Sequence, residues 1–167
     1  MGLVDFISLI ISLFIILPVV SLVRELGYLF TSKIFGAKET KVTIGSGPVV
    51  CKLGVFEVRR YYFTYSWCSY KDLKKDSKLT HMIIYASPII STLFMALIVN
   101  SLLVEGILEA NFWHRFVFYA FYFVLFDAIP IYYPDGQPSN GRVVYDLIRY
   151  GRKTDFTKND PQSKIKK

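Results

Sequence analysis

The stretch Leu22–Pro48, "LVRELGYLFTSKIFGAKETKVTIGSGP", joins the end of an apolar run to a polar segment. It places Arg24 and Tyr28 four residues apart, with Glu25 between them. Residues at this spacing share one face of a helix, and the motif H-E-x-x-H uses it to hold zinc between two histidines, with the glutamate as general base. Glu25 is kept here, whereas Arg24 and Tyr28 stand at the two histidine positions. The stretch therefore has the spacing of a metal site without two of its ligands.

The composition is typical of a membrane protein. Of 167 residues, 53% are hydrophobic and 17% aromatic, and the mean hydropathy is +0.37. The net charge of +7 comes from basic residues between apolar runs, where Lys and Arg orient membrane spans and meet anionic lipid. Anionic lipid headgroups, and no nucleic acid, are the partners that this pattern predicts. The two cysteines, Cys51 and Cys68, lie in no recognisable zinc or redox spacing.

Three apolar runs predict membrane spans at about residues 3–32, 79–104 and 114–133. Each has about the 20 residues that a helix needs to cross a bilayer core. Residues 40–66 are rich in Val, Ile, Thr, Phe and Tyr and are broken by Gly and Pro, which predicts short strands joined by tight turns. Residues 151–167 form a polar, basic tail, which we expect to be disordered.

The basic residues also predict an orientation. Ten Lys or Arg lie between Lys33 and Lys78 and eight from Arg142 onward, but only Arg115 lies between the second run and Phe116, near which the third run becomes apolar. The positive-inside rule then puts residues 33–78 and the C-terminal tail in the cytoplasm, with the N-terminus outside.

Four segments in chain order resemble those of a known family. "RELGYLFTSKIFGAK" matches its motif helix, "VTIGSGP" its next strand and Gly-x-Gly-Pro turn, "YASPIIS" its small-residue middle helix, and "FDAIPIYYPDGQPSNGR" its Pro-rich Asp-Gly segment. On this pattern, residues 1–150 are identified as a degenerate member of the site-2 protease (M50) family of intramembrane zinc metalloproteases. The resemblance implies a mostly α membrane protein: a core of three transmembrane helices with a small β-hairpin or sheet insertion after the first.

The ligand positions depart from the family pattern. Arg24 has no lone pair to give a metal, and Tyr28 could ligate only as phenolate. The resemblance leaves two alternatives for the third ligand position, Asp135 and Asn140. Glu25 stands at the family's general-base position, but a base of this kind acts on a metal-bound water. The sequence therefore predicts no metal and an idle Glu25.

Two hypotheses describe Arg24. It either reaches the lipid headgroups, or it replaces the metal's charge by pairing with Glu25 or Asp135, with the Tyr28 hydroxyl completing the network. An unpaired charge in a bilayer is costly, which favours such pairing wherever ionisable groups face a helix bundle.

Three functional interpretations remain open. The first is a catalytically inactive membrane protein that binds a membrane-protein partner or transmembrane substrate, or regulates an active relative. In the family, the turn corresponding to Gly45, Gly47 and Pro48 has an exposed strand edge to which an extended substrate can add. The second is an active intramembrane metalloprotease using zinc and non-standard ligands such as His81, Asp135 and Glu25. The third is a small membrane accessory or immunity subunit.

Overall fold

The computed structural model describes residues 3–133 and 138–151. Asp135 lies outside the described residues. So does the predicted tail beyond Gly151.

A single continuous helix opens the chain. It comprises α1 (Leu3–Ile11), a π-helical segment (Ser12–Ile16) and α2 (Leu17–Ile34), with helical backbone angles at both junctions. Pro18 explains the π segment, because a proline ring inside a helix removes one hydrogen bond and crowds the preceding turn. We call residues 3–34 the first long helix. It ends where Gly36 takes a positive φ of 79°, as glycine commonly does just past a helix end.

Three further helices follow the sheet: α3 (Lys78–Val104), α4 (Ala110–Ala128) and α5 (Asn140–Tyr150). Ser77 and Ser139 cap α3 and α5 by accepting hydrogen bonds from backbone N–H groups in the first turns. α4 packs along α3 and returns the chain toward the N-terminal end of α3. There α5 packs against α3, and Lys78 Nζ donates to the Ile148 carbonyl over 3.3 Å.

Two long strands, β1 (Glu39–Leu53) and β2 (Phe56–Lys71), pair antiparallel. Their register is double, because Val42 pairs with both Cys68 and Phe56. The first part of β1 therefore lies between two segments of β2, as the central strand of a three-stranded sheet, and residues 51–53 pair back onto residues 56–58. β1 bends at Gly45, where φ is +81° and a Cβ atom would overlap the backbone of Tyr61 and Tyr62.

β2 runs alongside the first long helix and in the same direction. Phe63 contacts Phe14, with ring centroids 4.8 Å apart, and Tyr70 contacts Tyr28 at 5.7 Å. Residues 14 to 28 of a helix rise about 21 Å. Residues 63 to 70 of a strand rise about 23 Å, which fits this match. The sheet thus follows the helix over most of the length that a bilayer core requires.

Two apolar clusters hold the helices together. The first joins the first long helix, α3 and α4 through six buried residues: Ile16, Val20, Ala96, Val99, Phe116 and Ala120. The second joins the first long helix, α3 and α5 through another five: Tyr28, Ile84, Tyr85, Val143 and Leu147. Arg24 and Glu25 lie between these clusters along the first long helix, so packing on both sides fixes the position of the charged pair.

The predicted fold class is wrong. The described chain is an α/β fold with four helices and a sheet of two long strands, where a three-helix core with a small β insertion was expected. Two helices, Phe6–Ile34 and Lys78–Val104, are long and apolar enough to cross a membrane. The third predicted span corresponds to α4, whose His114, Arg115, Asp127 and several Tyr and Trp side chains lower its hydropathy.

Candidate functional site: a buried arginine–carboxylate cluster

A guanidinium and two carboxylates meet at the end of the apolar part of the first long helix. Arg24 Nη2 lies 2.7 Å from Glu25 Oε1, and Nε donates to the same oxygen over 3.2 Å. Arg24 Nη1 lies 3.4 Å from both carboxylate oxygens of Asp127, near the end of α4. The Glu25 and Asp127 side chains are each 4% exposed and that of Arg24 is 16% exposed. We call these three residues the Arg24 cluster.

β2 closes the other side of the Arg24 cluster. Arg24 Nη2 also donates to the Ser66 carbonyl over 2.8 Å. The Ser66 hydroxyl in turn bonds the hydroxyl of Ser21 on the helix. Because these contacts come from both backbone and side chains, the strand fixes Arg24 and Glu25 in one arrangement.

Two aromatic residues complete the surroundings. The Arg24 guanidinium lies over the Phe123 ring, 5.6 Å from its centroid, which is a cation–π geometry. The Tyr133 hydroxyl lies 3.5 Å from Asp127 Oδ1 and 3.4 Å from the Phe126 carbonyl. The cluster thus joins the first long helix, β2 and the C-terminal end of α4.

Tyr28 belongs to a different group. It is buried, and its described contacts are with Tyr70 and Tyr85, whose rings lie 5.7 and 5.5 Å away. We expected the Tyr28 hydroxyl to complete the Arg24 network, but these contacts are with other tyrosines. They give it a packing role between the first long helix, the sheet and α3.

The other described residues that were predicted as ligands do not hydrogen-bond to the Arg24 cluster. His81 uses both ring nitrogens, Nδ1 with the Tyr70 hydroxyl at 2.9 Å and Nε2 with Asp76 Oδ1 at 2.7 Å. Asn140 is the first residue of α5 and is half-buried. Asp135, its alternative as third ligand position, lies outside the described residues.

The chemistry of the Arg24 cluster does not fit a zinc ion. Both carboxylates already accept bonds from a guanidinium, which is always charged, repels a cation and offers no lone pair. Within residues 3–133 and 138–151, no group of three His, Cys, Asp or Glu side chains is arranged to hold a metal. The arrangement is that of an ion-pair network, which lowers the cost of placing charge inside an apolar helix bundle.

Gly45, Gly47 and Pro48 lie inside β1, at the bulges where its pairing changes partners, rather than in a tight turn. The following residues, Val49 to Leu53, are exposed and pair with the first part of β2. In the described part of the chain, this segment forms an edge of the sheet.

Asp127 is the cluster member whose role the sequence analysis missed. The expected partner of Arg24 was Glu25 or Asp135, whereas Asp127 lies in the third apolar run. The Glu25 pairing is present in the structure. The position of Asp127 could have predicted its contact with Arg24, because a carboxylate within an apolar helix usually pairs with a group of opposite charge. The Ser66 carbonyl had no such signal, since the path of β2 along the helix depends on the whole sheet.

Taken together, the hydropathy, two helices able to cross a bilayer and a buried ion-pair cluster that joins the first long helix to α4 define a class of membrane proteins with a sheet packed along a helix. The chain is 31% identical over 158 residues to a Bacillus subtilis (strain 168) protein described as "Uncharacterized membrane protein YwmF", covering 94% of this chain and 99% of that protein. The chain belongs to the family of that membrane protein. No family model matches the chain, and no solved structure does. The prediction of a membrane protein is confirmed at this level.

Proposed function

We propose that this chain is a non-catalytic, multi-pass membrane protein that binds another membrane protein, or one of its transmembrane segments. The observation that carries the proposal is the Arg24 cluster. A general base needs a free carboxylate and a reactive water, whereas Glu25 accepts two hydrogen bonds from Arg24. A guanidinium held this way makes a stable scaffold for a partner and a poor catalyst. The resemblance to site-2 proteases stays a prediction.

The packing of the helices supports a topology. The two ends of the sheet, where the Lys38 N–H donates to the Lys71 carbonyl, lie at the same end of the helices as α5, because α5 packs on the N-terminal part of α3. This brings the two basic parts of the chain together, and the positive-inside rule assigns that end to the cytoplasm. The N-terminus of the first long helix then lies on the opposite side of the membrane.

The sheet edge at residues 49–53 is the surface we assign to partner binding. It exposes Val49, Val50 and Leu53 and has a single charge, Lys52, whereas a sheet edge normally has several charges that prevent unwanted pairing. Beside a bilayer, unpaired backbone groups on such an edge favour an added strand.

The first test of the proposal measures metal and hydrolysis. The protein is purified in mild detergent and its zinc content is measured by elemental mass spectrometry, next to the variant Arg24→His/Tyr28→His. We expect sub-stoichiometric zinc in the unmodified chain. Stoichiometric zinc, together with hydrolysis of a transmembrane peptide that Glu25→Gln abolishes, would return the enzyme interpretation.

The second test examines binding at the edge. A photo-crosslinking amino acid replaces Val50 in cells, and in a matched control it replaces Val104, which is exposed at the end of α3. We expect one adduct with a single integral membrane protein from position 50, none from position 104, and loss of the adduct when Leu53→Asp is added. Equal adducts from both positions, or none, would contradict the assignment.

A further inference from the structure

A second charged group lies on the outer face of the sheet, away from the helices. Glu57 is 4% exposed and receives three cations: Lys41 Nζ at 2.8 Å, Arg59 Nη2 at 3.0 Å and Lys52 Nζ at 3.8 Å. The long side chains of its own cations cover this carboxylate. Three cations against one carboxylate leave an excess of two positive charges at one place.

The cations differ in how far they are committed. Arg59 is 11% exposed, donates to Glu57 through both Nε and Nη2, and lies over the Trp67 ring at 5.4 Å. Lys41 and Lys52 are 51% and 69% exposed and share the other carboxylate oxygen. Glu57 balances one of the three positive charges, and the exposed ammonium groups of Lys41 and Lys52 keep further N–H donors for an external anion.

The register of the sheet sets the level of this group along the first long helix. Thr43 pairs with both Glu57 and Trp67, and the carbonyl of Ser66, the residue before Trp67, accepts a hydrogen bond from Arg24. Arg24 follows directly on the apolar run that ends at Val23. If the first long helix crosses the bilayer, the excess positive charge lies at the level of the lipid headgroups.

Beyond Arg59 and Arg60, the sheet continues toward the bilayer interior with aromatic residues. Tyr61 and Tyr62 are exposed, and Phe63 packs on Phe14, nine residues before Val23. Nine helical residues correspond to about 14 Å, close to half of a hydrocarbon core. Cations at headgroup level above aromatic residues form the arrangement that an anionic phospholipid complements with its phosphate and its acyl chains.

We propose that Lys41, Lys52 and Arg59, arranged around Glu57, bind the headgroup of an anionic phospholipid of the surrounding membrane. The inference goes beyond partner binding and rests only on the bilayer crossing of the first long helix. An inorganic phosphate could satisfy the same ammonium groups, but it would make no use of the aromatic residues below them.

Trp67 provides the test, because its ring stacks on Arg59. In the Trp113→Phe background it is the single tryptophan of the chain. This protein is reconstituted in vesicles of unlabelled phosphatidylcholine that contain, at equal mole fraction, either dibrominated phosphatidylglycerol or dibrominated phosphatidylcholine. We expect stronger quenching of Trp67 fluorescence by the brominated phosphatidylglycerol, because bound lipid is enriched at the site.

The variant Lys41→Gln/Lys52→Gln should bring the ratio of the two quenching efficiencies to one. The matched control Lys74→Gln/Lys75→Gln removes two exposed charges elsewhere and should keep the preference. Added inorganic phosphate should not change the stronger quenching by brominated phosphatidylglycerol. If phosphate abolishes this difference, the ligand is a free anion and the proposal is wrong. Equal quenching by both lipids in the parent protein would overturn the lipid selectivity. No quenching by either lipid would contradict both the lipid selectivity and the placement of the sheet beside the bilayer. This conclusion does not depend on the result of the crosslinking at position 50.

Discussion

Arg24 and Asp127 lie 103 residues apart in the chain, yet Arg24 Nη1 is equidistant from the two carboxylate oxygens of Asp127, at 3.4 Å. The contact joins the first long helix to the end of α4. The same guanidinium holds Glu25 and the Ser66 carbonyl, so one side chain connects three elements. A group with this many buried partners is expected to be needed for stability.

Arg24→Ala should destabilise the protein strongly. Removing one partner of a buried ion pair typically costs about 3–5 kcal/mol, because the remaining charges stay buried without compensation. We expect a large fall in the melting temperature in detergent, measured by the fluorescence of a thiol-reactive or intrinsic probe. Arg149→Ala, which removes an exposed arginine from α5, is the control and should change little.

A second variant separates charge from structure at the same site. Arg24→Met combined with Glu25→Gln and Asp127→Asn removes all three charges and should recover part of the stability lost in Arg24→Ala. If Arg24→Ala melts like the unmodified protein, Arg24 contributes no buried pairing, and the headgroup interpretation of this arginine is the better one.

Gly27 fixes the approach of the first long helix to α3. A Cβ atom there would overlap the Ser91 hydroxyl and lie 3.1 Å from the Ser87 carbonyl. Gly27→Ala should therefore lower stability by about 1–3 kcal/mol, as overpacking commonly does. The melting temperature measures the effect, and Gly27→Ala/Ser91→Gly should restore most of it. A single alanine variant as stable as the parent would mean that the helices separate at no cost.

The two cysteines should differ in reactivity. Burial, and secondarily the nearby Glu25 carboxylate, raises the pKa of the Cys68 thiol to about 12, whereas Cys51 is exposed. At pH 8 the reactive thiolate of Cys68 is then roughly one part in ten thousand. Alkylation of the single-cysteine variants Cys51→Ser and Cys68→Ser, followed by mass spectrometry, should modify Cys51 rapidly and Cys68 very slowly. Equal rates in the folded protein would contradict the burial of Cys68 against the helix.

The helices were more predictable from the sequence than the sheet or the site. Apolar runs of sufficient length mark the first long helix and α3, because hydropathy and length are local properties. The sequence predicted short strands in place of the two long ones, because Gly45 and Gly47 are typical turn residues. In the structure they lie at bulges inside β1. The site was found in part. The pairing of Arg24 with Glu25 follows from adjacent positions, whereas Asp127 and Ser66 reach Arg24 only through tertiary packing.

The pH dependence of stability should report on Glu57. Its cations, first through the hydrogen bond from Lys41 and then through Arg59, hold the pKa of Glu57 below its ordinary value of 4.5. A carboxylate whose pKa is lower in the folded state than in the unfolded chain stabilises the fold at pH values above its unfolded-state pKa. This contribution is lost as the pH falls through the folded-state pKa. The difference in melting temperature between the unmodified protein and Glu57→Gln should therefore be constant from pH 7 down to about pH 5 and shrink in more acidic buffer.

Glu39→Gln, which alters a carboxylate that is 71% exposed, is the matched control and should give a small difference throughout. A Glu57→Gln difference that grows on acidification would mean that the carboxylate is destabilised by its surroundings, and the assignment of Lys41 and Arg59 as its partners would be wrong.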